Sequence, residues 1–243
     1  VIFCFLLVWH LIAISGAFLP SLLPSPVDVL SAIGELWITG SLFQHVGASL
    51  FRVLAGFLLA ALLGIPIGIA LGWYKSAHYA VEPLIKLVHT ISPIAWIPLA
   101  ILWFGIGNSP AIFIIFITSF FPIVIASMHA VKNVDPLLIK CAINFGADGS
   151  ALLTKVIFPA ALPYIVIGLR LALGIAWVII VAAEMVGMRS GLGFMILDAR
   201  NFLRTDMVMA GMVIIGVIGF ALDRLMSFIE VRLERHKREE VLS

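Results

Sequence analysis

The chain has 243 residues, of which 63% are hydrophobic and 12% are charged. The charged share is about half that of an ordinary soluble domain, and 15 basic and 13 acidic side chains cannot cover the surface of a water-soluble protein of this length. This composition excludes a soluble globular enzyme, a disordered chain and a nucleic-acid-binding protein. Together with a mean hydropathy of +1.19, it indicates an integral membrane protein in contact with lipid.

Apolar runs predict an all-α fold with six transmembrane helices, because a helix needs about 20 mostly apolar residues to cross a bilayer. The first run, residues 1–15, is short for a span, and we expect it to be the later part of a helix whose beginning precedes residue 1. A cluster of turn residues at 105–110 divides one long apolar stretch into two spans. The other five predicted spans are 53–74, two within 87–131, 156–183 and 207–229.

These spans divide the chain into three segments. Residues 1–51 contain the first transmembrane helix and a short amphipathic helix, predicted at 27–38 on the outer face. Residues 52–230 form a core transmembrane domain with five spans, and residues 231–243 form a basic cytoplasmic tail.

Residues 132–159 are more numerous than a connection between two spans requires. Their pattern predicts two short amphipathic helices separated by a break at 146–149. Loops with their own secondary structure are usually functional. We therefore expect this segment to be a structured cytoplasmic module.

The distribution of basic residues predicts the orientation of the chain in the membrane. Alternate loops carry nine Lys and Arg residues on one side, and the other side has three, with Arg52 at a helix edge. Because basic residues accumulate in cytoplasmic loops, we expect both termini inside, which agrees with six spans. The nine are Lys75, Lys86, Lys132, Lys140, Lys155, Arg232, Arg235, Lys237 and Arg238; the three are Arg189, Arg200 and Arg204.

The second span carries a small residue at every fourth position. This spacing places all of them on one helix face, where it allows close approach of a neighbouring helix. Helix packing is the favoured interpretation, and a face that lines the substrate path is the alternative. The residues are Gly56, Ala60, Gly64, Gly68 and Gly72.

Two ionisable residues lie within the fifth span, where charges are costly and tend to be functional. Arg170 interrupts the span and Glu184 lies near its outer end; they are 14 positions apart, about 21 Å along a helix, and cannot pair within it. One interpretation places them on the permeation path or at a dimer seam. The other is that Arg170 either extends toward the membrane surface or bonds a neighbouring helix, and that Glu184 is an interfacial charge.

The segment after the fifth span predicts an interfacial or re-entrant helix that follows Gly191 and Gly193. Asp198, Arg200 and Asn201 are expected on a protected face of this helix. An outer gate that bears arginine would suit an anionic substrate. An ion-pair network that holds the loop is the alternative.

The motifs of several kinds of catalysis are missing from the sequence. A Walker-type phosphate loop needs a Gly-Lys pair, and none of the six lysines follows a glycine. The HExxH and GxSxG patterns are also missing, and none of the six histidines lies in a metal-binding motif. We therefore predict that this chain is not an enzyme, hydrolyses no ATP, and holds no cofactor and no metal.

The cytoplasmic module resembles the EAA loop of ABC importer permeases. That pattern is Glu-Ala-Ala, three residues, Gly, nine residues, and Ile-x-Leu-Pro. Lys140 stands in place of the glutamate and Cys141 in place of the first alanine, so the charge at the expected ATPase contact is reversed. The resemblance assigns ATPase coupling to Lys140, Cys141, Ala142, Gly146, Ala147 and Pro159, with Val156 and Phe158 also matching the pattern.

Nearly the whole chain resembles the sulfonate, taurine, nitrate and bicarbonate branch of those permeases. The strings include Ala-Trp-Ile-Pro-Leu at 95–99 and Phe-Pro-Ala-Ala-Leu-Pro at 158–163. The string Asp-Ala-Arg-Asn at 198–201 is most similar to aliphatic-sulfonate permeases. The resemblance implies a type I importer permease of the inner membrane with a cytoplasmic coupling helix, which imports a small anion of alkanesulfonate type.

The resemblance also implies partners. These are two ABC ATPase subunits that bind ATP and Mg, a second permease chain in a homodimer, and an extracytoplasmic binding protein that delivers the substrate. Nitrate, bicarbonate or taurine is the alternative substrate. A stand-alone secondary transporter is a less favoured reading, because the two halves show no internal repeat. An intramembrane enzyme lacks a nucleophile and base at suitable spacing.

Overall fold

The computed structural model describes residues 2–15 and 22–242, and the regular structure of these residues is helical. A 3-10 turn, Pro93–Trp96, and a π-helical turn, Leu153–Ile157, connect helices. The α-helices in chain order are α1 (Ile2–Ile14), α2 (Pro26–Ile38), α3 (Ser41–Trp73), α4 (Lys75–His89), α5 (Ile97–Phe104), α6 (Asn108–Lys132), α7 (Pro136–Asn144), α8 (Gly149–Leu152), α9 (Phe158–Met185), α10 (Leu192–Asn201) and α11 (Thr205–Leu242).

The predicted all-α membrane fold is confirmed. Within the described residues, four helical stretches are long and apolar enough to cross a membrane, and a fifth span results if α4 and the Pro93–Phe104 segment are counted as one broken span. The 13 described residues of α1 extend about 20 Å, less than the roughly 30 Å of a hydrocarbon core. The four stretches are Ser41–Trp73, Asn108–Lys132, Gly149–Met185 and Thr205–Arg232.

The third predicted span is not a straight helix. The chain bends by 82° between Ser76–His89 and Pro93–Phe104. Ser92 has extended backbone, with φ −55° and ψ 128°, because the ring of Pro93 disfavours a helical residue before it. The first of the two spans predicted within 87–131 is therefore broken near its start, and it belongs to a bent pair of helices that counts as at most one span. Hydropathy measures the length of an apolar run but not a change in its direction.

The amphipathic helix expected at 27–38 is present as α2. Ser25 caps its N-terminus: the hydroxyl accepts a hydrogen bond from the Asp28 N–H at 3.3 Å, and the Asp28 carboxylate accepts from the Ser25 N–H at 2.8 Å. Such reciprocal bonds satisfy backbone donors that a helix start leaves free. One face of α2 is buried, and the helix packs against α11; the buried residues are Val29, Ala32 and Leu36.

The small-residue stripe lies between two helices of the same chain. α3, α6 and α9 form the centre of the bundle, and α3 packs along α6. A Cβ atom on Gly56 would lie 2.7 Å from the Ile112 carbonyl oxygen, and one on Gly68 would lie 2.5 Å from the Val124 carbonyl oxygen. Gly64 and Gly72 also face α6 closely, and Ala60 is fully buried. The stripe is therefore a packing face within one chain.

The cytoplasmic module differs from the prediction in its second half. α7 is a separate short helix, but α8 continues through the π-helical turn into α9, so that Gly149–Met185 is one helical stretch. The predicted break after the first helix is confirmed, but the second helix is not a separate one, because no proline or glycine interrupts the chain between Ser150 and Phe158. The module is one short helix connected by a tight turn to the start of a span.

Two predicted segment boundaries fall inside helices. α3 begins at Ser41 and continues across the boundary between residues 51 and 52. α11 continues across the boundary between residues 230 and 231 and ends at Leu242. The basic C-terminal residues therefore extend a membrane-spanning helix.

Candidate functional site

α7 is a short helix with a defined start and end. The Asp135 carboxylate accepts a hydrogen bond from the Leu137 N–H at 2.8 Å, and Pro136 occupies the first turn, where a missing N–H costs nothing. Gly146 ends the helix in the left-handed conformation, with φ +83°. The Ala147 N–H donates to the Ala142 carbonyl at 3.0 Å, one of the bonds of a Schellman C-cap.

The predicted coupling residues lie on two faces of this unit. Lys140, Cys141 and Gly146 are exposed, whereas Ala142 and Ala147 pack against a buried cluster formed by the ends of α6 and α9. Pro159 is exposed in the first turn of α9. Five of the six predicted coupling residues thus lie on α7 or the turn that follows it, and Ala142 and Ala147 fix this unit to the bundle, whereas Pro159 lies farther along the chain.

The outward face of α7 is apolar. The Phe145 side chain is 92% exposed, the largest value among the exposed hydrophobic side chains of the described chain. Three neighbours on α7 are also exposed by about half or more. We call these residues the α7 surface: Leu137, Leu138, Ile143 and Phe145. An apolar surface that protrudes from a loop module is typical of a protein-binding site.

A buried ion pair lies at the other end of the bundle. The Arg52 Nη1 atom donates to Glu184 Oε1 at 2.7 Å, and the side chains are 3% and 0% exposed. The Ser49 hydroxyl lies 2.8 Å from the same carboxylate oxygen. Arg52 also donates through Nε to Asn108 Oδ1 at 2.9 Å and through Nη2 to Ser190 Oγ at 2.7 Å. This polar cluster joins α3, the start of α6, the end of α9 and the turn that follows.

The turn between α9 and α10 is folded onto the Glu184 carboxylate. The Gly193 N–H donates to Glu184 Oε2 at 3.0 Å, and the Leu192 N–H donates to Ser49 Oγ at 2.9 Å. Gly191 has φ +112°, and a Cβ atom there would overlap the Glu184 carboxyl group. Glycine is therefore required at Gly191 for both its backbone angle and its contact with Glu184. Glu184 anchors this turn, and a role in permeation stays a prediction.

Arg170 is bonded to a neighbouring helix. Its guanidinium makes two parallel bonds to the Asp223 carboxylate, at 2.7 and 2.9 Å, and one to Glu230 at 2.9 Å. Two-point pairs of this kind fix both distance and orientation. Arg170 therefore connects α9 to α11, and its presence on a permeation path stays a prediction.

The expectation that Asp198, Arg200 and Asn201 share a protected face is wrong. All three are exposed, whereas the buried face of α10 carries Leu192, Gly193, Met195 and Ala199. Polar groups of a short helix remain in water unless a partner satisfies them, and the apolar residues pack against the bundle. A gating role for the three residues stays a prediction.

Arg204 makes the ion pairs of this region. Its Nη2 atom lies 2.8 Å from Glu35 on α2 and 2.8 Å from Asp206. These hydrogen bonds raise the pKa of the Arg204 guanidinium above its ordinary value. Arg204 therefore connects the α10–α11 turn to α2.

Several residues of the polar cluster were not predicted from the sequence. Arg52 was counted as a basic residue at a helix edge, and Ser49, Asn108 and Ser190 carried no signal of their own. One signal was present: Arg52 and Glu184 lie at the same predicted depth on different spans, and buried charges need partners. Their separation of 132 positions left the pairing undetermined.

Comparisons with known proteins identify the family. The sequence profile of the family described as "Binding-protein-dependent transport system inner membrane component" matches residues 64–238. A putative ABC transporter permease of Methanocaldococcus jannaschii is 47% identical over 193 residues, 79% of this chain and 72% of the relative. A putative aliphatic sulfonates transport permease of Bacillus subtilis is 38% identical over 226 residues, 93% of this chain and 82% of the relative.

Two further relatives are named for taurine and for nitrate. The taurine transport system permease of Escherichia coli is 37% identical over 233 residues, 94% of this chain and 85% of the relative. A nitrate import permease of a Synechocystis strain is also 37% identical, over 93% of this chain and 84% of the relative.

The fold is similar to that of a solved transporter chain. A structure of the inward-facing MetNI methionine ABC transporter superposes with a TM-score of 0.73, over 81% of this chain and 97% of that chain, at 18% sequence identity. At this identity the likeness concerns the fold alone, a type I importer permease. The chain thus belongs to the family of binding-protein-dependent transport system inner membrane components, and is a multi-pass inner-membrane ABC importer permease of the sulfonate, taurine and nitrate branch.

Proposed function

We propose that this chain forms the transmembrane path of an ATP-driven importer for a small anion of alkanesulfonate type, and that the α7 surface is its contact with an ATPase subunit. The observation that carries the proposal is the exposure of the α7 surface. Its four apolar side chains are exposed on the short helix that follows α6 and at its C-terminal end, and this helix also carries the exposed Lys140. Exposed apolar groups in a polar loop module are stabilised by a protein partner.

The proposed orientation places the lysine-rich end of the bundle in the cytoplasm. There the α7 surface meets the compartment that contains ATP. Both termini of the protein would then be cytoplasmic, and the Arg52–Glu184 cluster would lie toward the exterior.

The connection of the module to α9 supports a lever-like coupling. α7 is fixed to the bundle by Ala142 and Ala147, and α8 continues into α9 without a flexible loop. Movement of an ATPase subunit against α7 would therefore displace the start of α9 as a rigid body. Two ATPase subunits would bind ATP and Mg, since this chain has no Gly-Lys pair for a phosphate loop.

The proposed assembly contains two further components. A second copy of this chain would complete the path as a homodimer. An extracytoplasmic binding protein would deliver the substrate to the end of the bundle that holds the Arg52–Glu184 cluster. Taurine, nitrate or bicarbonate is the alternative substrate, because permeases of the same branch are named for taurine and nitrate.

Replacement of Phe145 tests the α7 contact. We expect Phe145→Ala to weaken association with the ATPase subunit by roughly thirtyfold, about 2 kcal/mol, because buried aromatic anchors dominate protein interfaces. Phe202→Ala is the matched control, since Phe202 is 73% exposed on the turn between α10 and α11. The measurement is the amount of ATPase that co-purifies with each variant of the permease.

The same complex tests the whole proposal. Its ATPase rate should rise when the binding protein loaded with ethanesulfonate is added. Equal ATPase association by the wild type and Phe145→Ala would contradict the α7 contact. An ATPase rate indifferent to the loaded binding protein would contradict the importer function.

A further inference from the structure

A cavity of about 300 Å³ opens beside the Arg52–Glu184 cluster. It lies where the turn before α6 meets the turn after α9. Ligand cavities range upward from about this volume, so the space suits a small molecule or one head group. The residues that line it are Arg52, Ile106, Gly107, Asn108, Met188, Arg189 and Ser190.

The lining supplies hydrogen-bond donors and no carboxylate. Asn108 Oδ1 and Ser190 Oγ both accept from Arg52, at 2.9 and 2.7 Å. Each residue still has donors available, namely the amide NH₂ of Asn108 and the hydroxyl proton of Ser190. Arg189 is exposed and has no hydrogen-bond or ion-pair partner among the side chains that the structure describes. The three polar side chains around the opening thus have donors available.

The charge of the cavity is positive. Arg52 is neutralised by Glu184, which lies behind it with a fully buried side chain and does not line the cavity. Arg189 has no such counter-charge. The first turn of α6 adds backbone N–H groups, because its N-cap, Gly107, has no side chain to accept from them.

We propose that this cavity binds one oxyanion group, a sulfonate or a chemically similar anion. An oxyanion offers acceptors only, which matches a lining of donors, and the bonds would be charge-assisted. Ile106 and Met188 give the cavity an apolar side that suits a short alkyl chain. Assignment to the transported sulfonate class rests on the proposed function; the head group of an anionic lipid offers the same chemistry.

The test is ligand-dependent stability of the purified full chain in a neutral detergent, without ATPase or binding protein. Thermal unfolding is measured against ethanesulfonate concentration at constant ionic strength, with dimethyl sulfone as the uncharged probe and chloride as the simple anion. A ligand that binds the folded state raises the unfolding midpoint in a saturable manner. We expect saturation with ethanesulfonate, and none with dimethyl sulfone or chloride.

Two substitutions locate the effect. Arg189→Gln should weaken ethanesulfonate binding at least about tenfold, because it removes the unpaired cation. Asn108→Asp retains an acceptor for Arg52 but replaces donors with a negative charge, and should abolish binding. Arg224→Gln is the matched control, an exposed arginine of α11 outside the cavity, and should leave binding within about twofold of the wild type.

The outcomes separate the possible sources of the anion. Saturation by ethanesulfonate that depends on Arg189 assigns the site to a solute. If dihexanoyl phosphatidylglycerol instead raises the unfolding midpoint to saturation, and this effect also depends on Arg189, the oxyanion site stands and its ligand is a lipid head group. The proposal would be overturned if neither ethanesulfonate nor dihexanoyl phosphatidylglycerol raised the unfolding midpoint of the wild-type protein. It would also be overturned if the midpoint of Arg189→Gln rose as that of the wild type does. These measurements need no ATPase, so failure here leaves the proposed importer function standing. Failure of the importer function would leave the oxyanion site standing but would remove its assignment to a transported sulfonate.

Discussion

Arg52 and Glu184 illustrate how single residues bear on the stability of this protein. A buried ion pair contributes little beyond its desolvation cost, but removal of one partner leaves a buried charge without compensation. Glu184 would then retain only neutral donors, namely Ser49 and the Gly193 N–H. The turn between α9 and α10 depends on that carboxylate, so its loss would affect the nearby cavity as well.

We predict that Arg52→Met destabilises the protein by about 3–5 kcal/mol, since it leaves the Glu184 carboxylate buried and unpaired. The double substitution Arg52→Met with Glu184→Gln should be more stable than Arg52→Met alone. Thermal unfolding in detergent measures both. A double variant that is as unstable as the sum of its single substitutions would show that the two residues do not interact.

At the scale of elements, the contact between α3 and α6 depends on small residues. Gly68 is the tightest point, because a Cβ atom there would lie 2.5 Å from a carbonyl oxygen and 2.6 Å from the Ser127 Cβ. Neither neighbouring atom belongs to a flexible side-chain end. The two helix backbones would have to separate to accept a larger residue.

We expect Gly68→Ala to destabilise the protein by about 1–3 kcal/mol, as overpacking of a close-packed interior usually does. Gly174→Ala on α9 is the control, because a Cβ atom there has no neighbour within 4 Å. The unfolding midpoint of each variant is the measurement. If both substitutions have the same effect, the close approach of α3 and α6 does not limit stability.

The end of α7 is a second element whose geometry depends on one glycine. Gly146→Ala places a Cβ atom in the left-handed conformation, which costs about 1–2 kcal/mol. We predict a displaced α7 and reduced stimulation of ATPase activity by the loaded binding protein. Gly146→Asn should retain more of that activity, since asparagine tolerates this conformation. An equal loss of ATPase stimulation in both variants would point to a steric contact instead of backbone strain.

At the scale of the whole molecule, the two ends of the bundle differ in character. One end carries the α7 surface and most of the lysines, and the other carries the Arg52–Glu184 cluster and the donor-lined cavity. The centre is a close-packed unit of α3, α6 and α9. The orientation of these ends decides which compartment each surface meets.

Cysteine labelling tests that orientation. Cys141 is an exposed free thiol on α7, and Cys4 on α1 is removed by Cys4→Ser. We expect a membrane-impermeant maleimide to label Cys141 in inside-out vesicles, where the cytoplasmic face is accessible, and not in right-side-out vesicles. Labelling only in right-side-out vesicles would place α7 outside and contradict the proposed ATPase contact.

The sequence by itself determined the properties that depend on local pattern. Apolar runs located the four long spans, the amphipathic period located α2, and the four-residue spacing from Gly56 to Gly72 located a packing face. Each of these patterns is an average over many residues along one element, so residues distant in the chain hardly change the pattern. The positive φ of Gly146 likewise belongs to a local turn.

The tertiary structure alone decided the pairings and the directions of elements. Arg52 and Glu184 are 132 positions apart, and their contact depends on how α3, α6 and α9 pack. The partner of Arg170 and the exposure of Asp198 likewise depend on how elements distant in the chain pack together. Hydropathy gives the depth of a residue in the membrane, but not its rotation about the helix axis or its neighbour, and those two quantities set the chemistry of a buried charge.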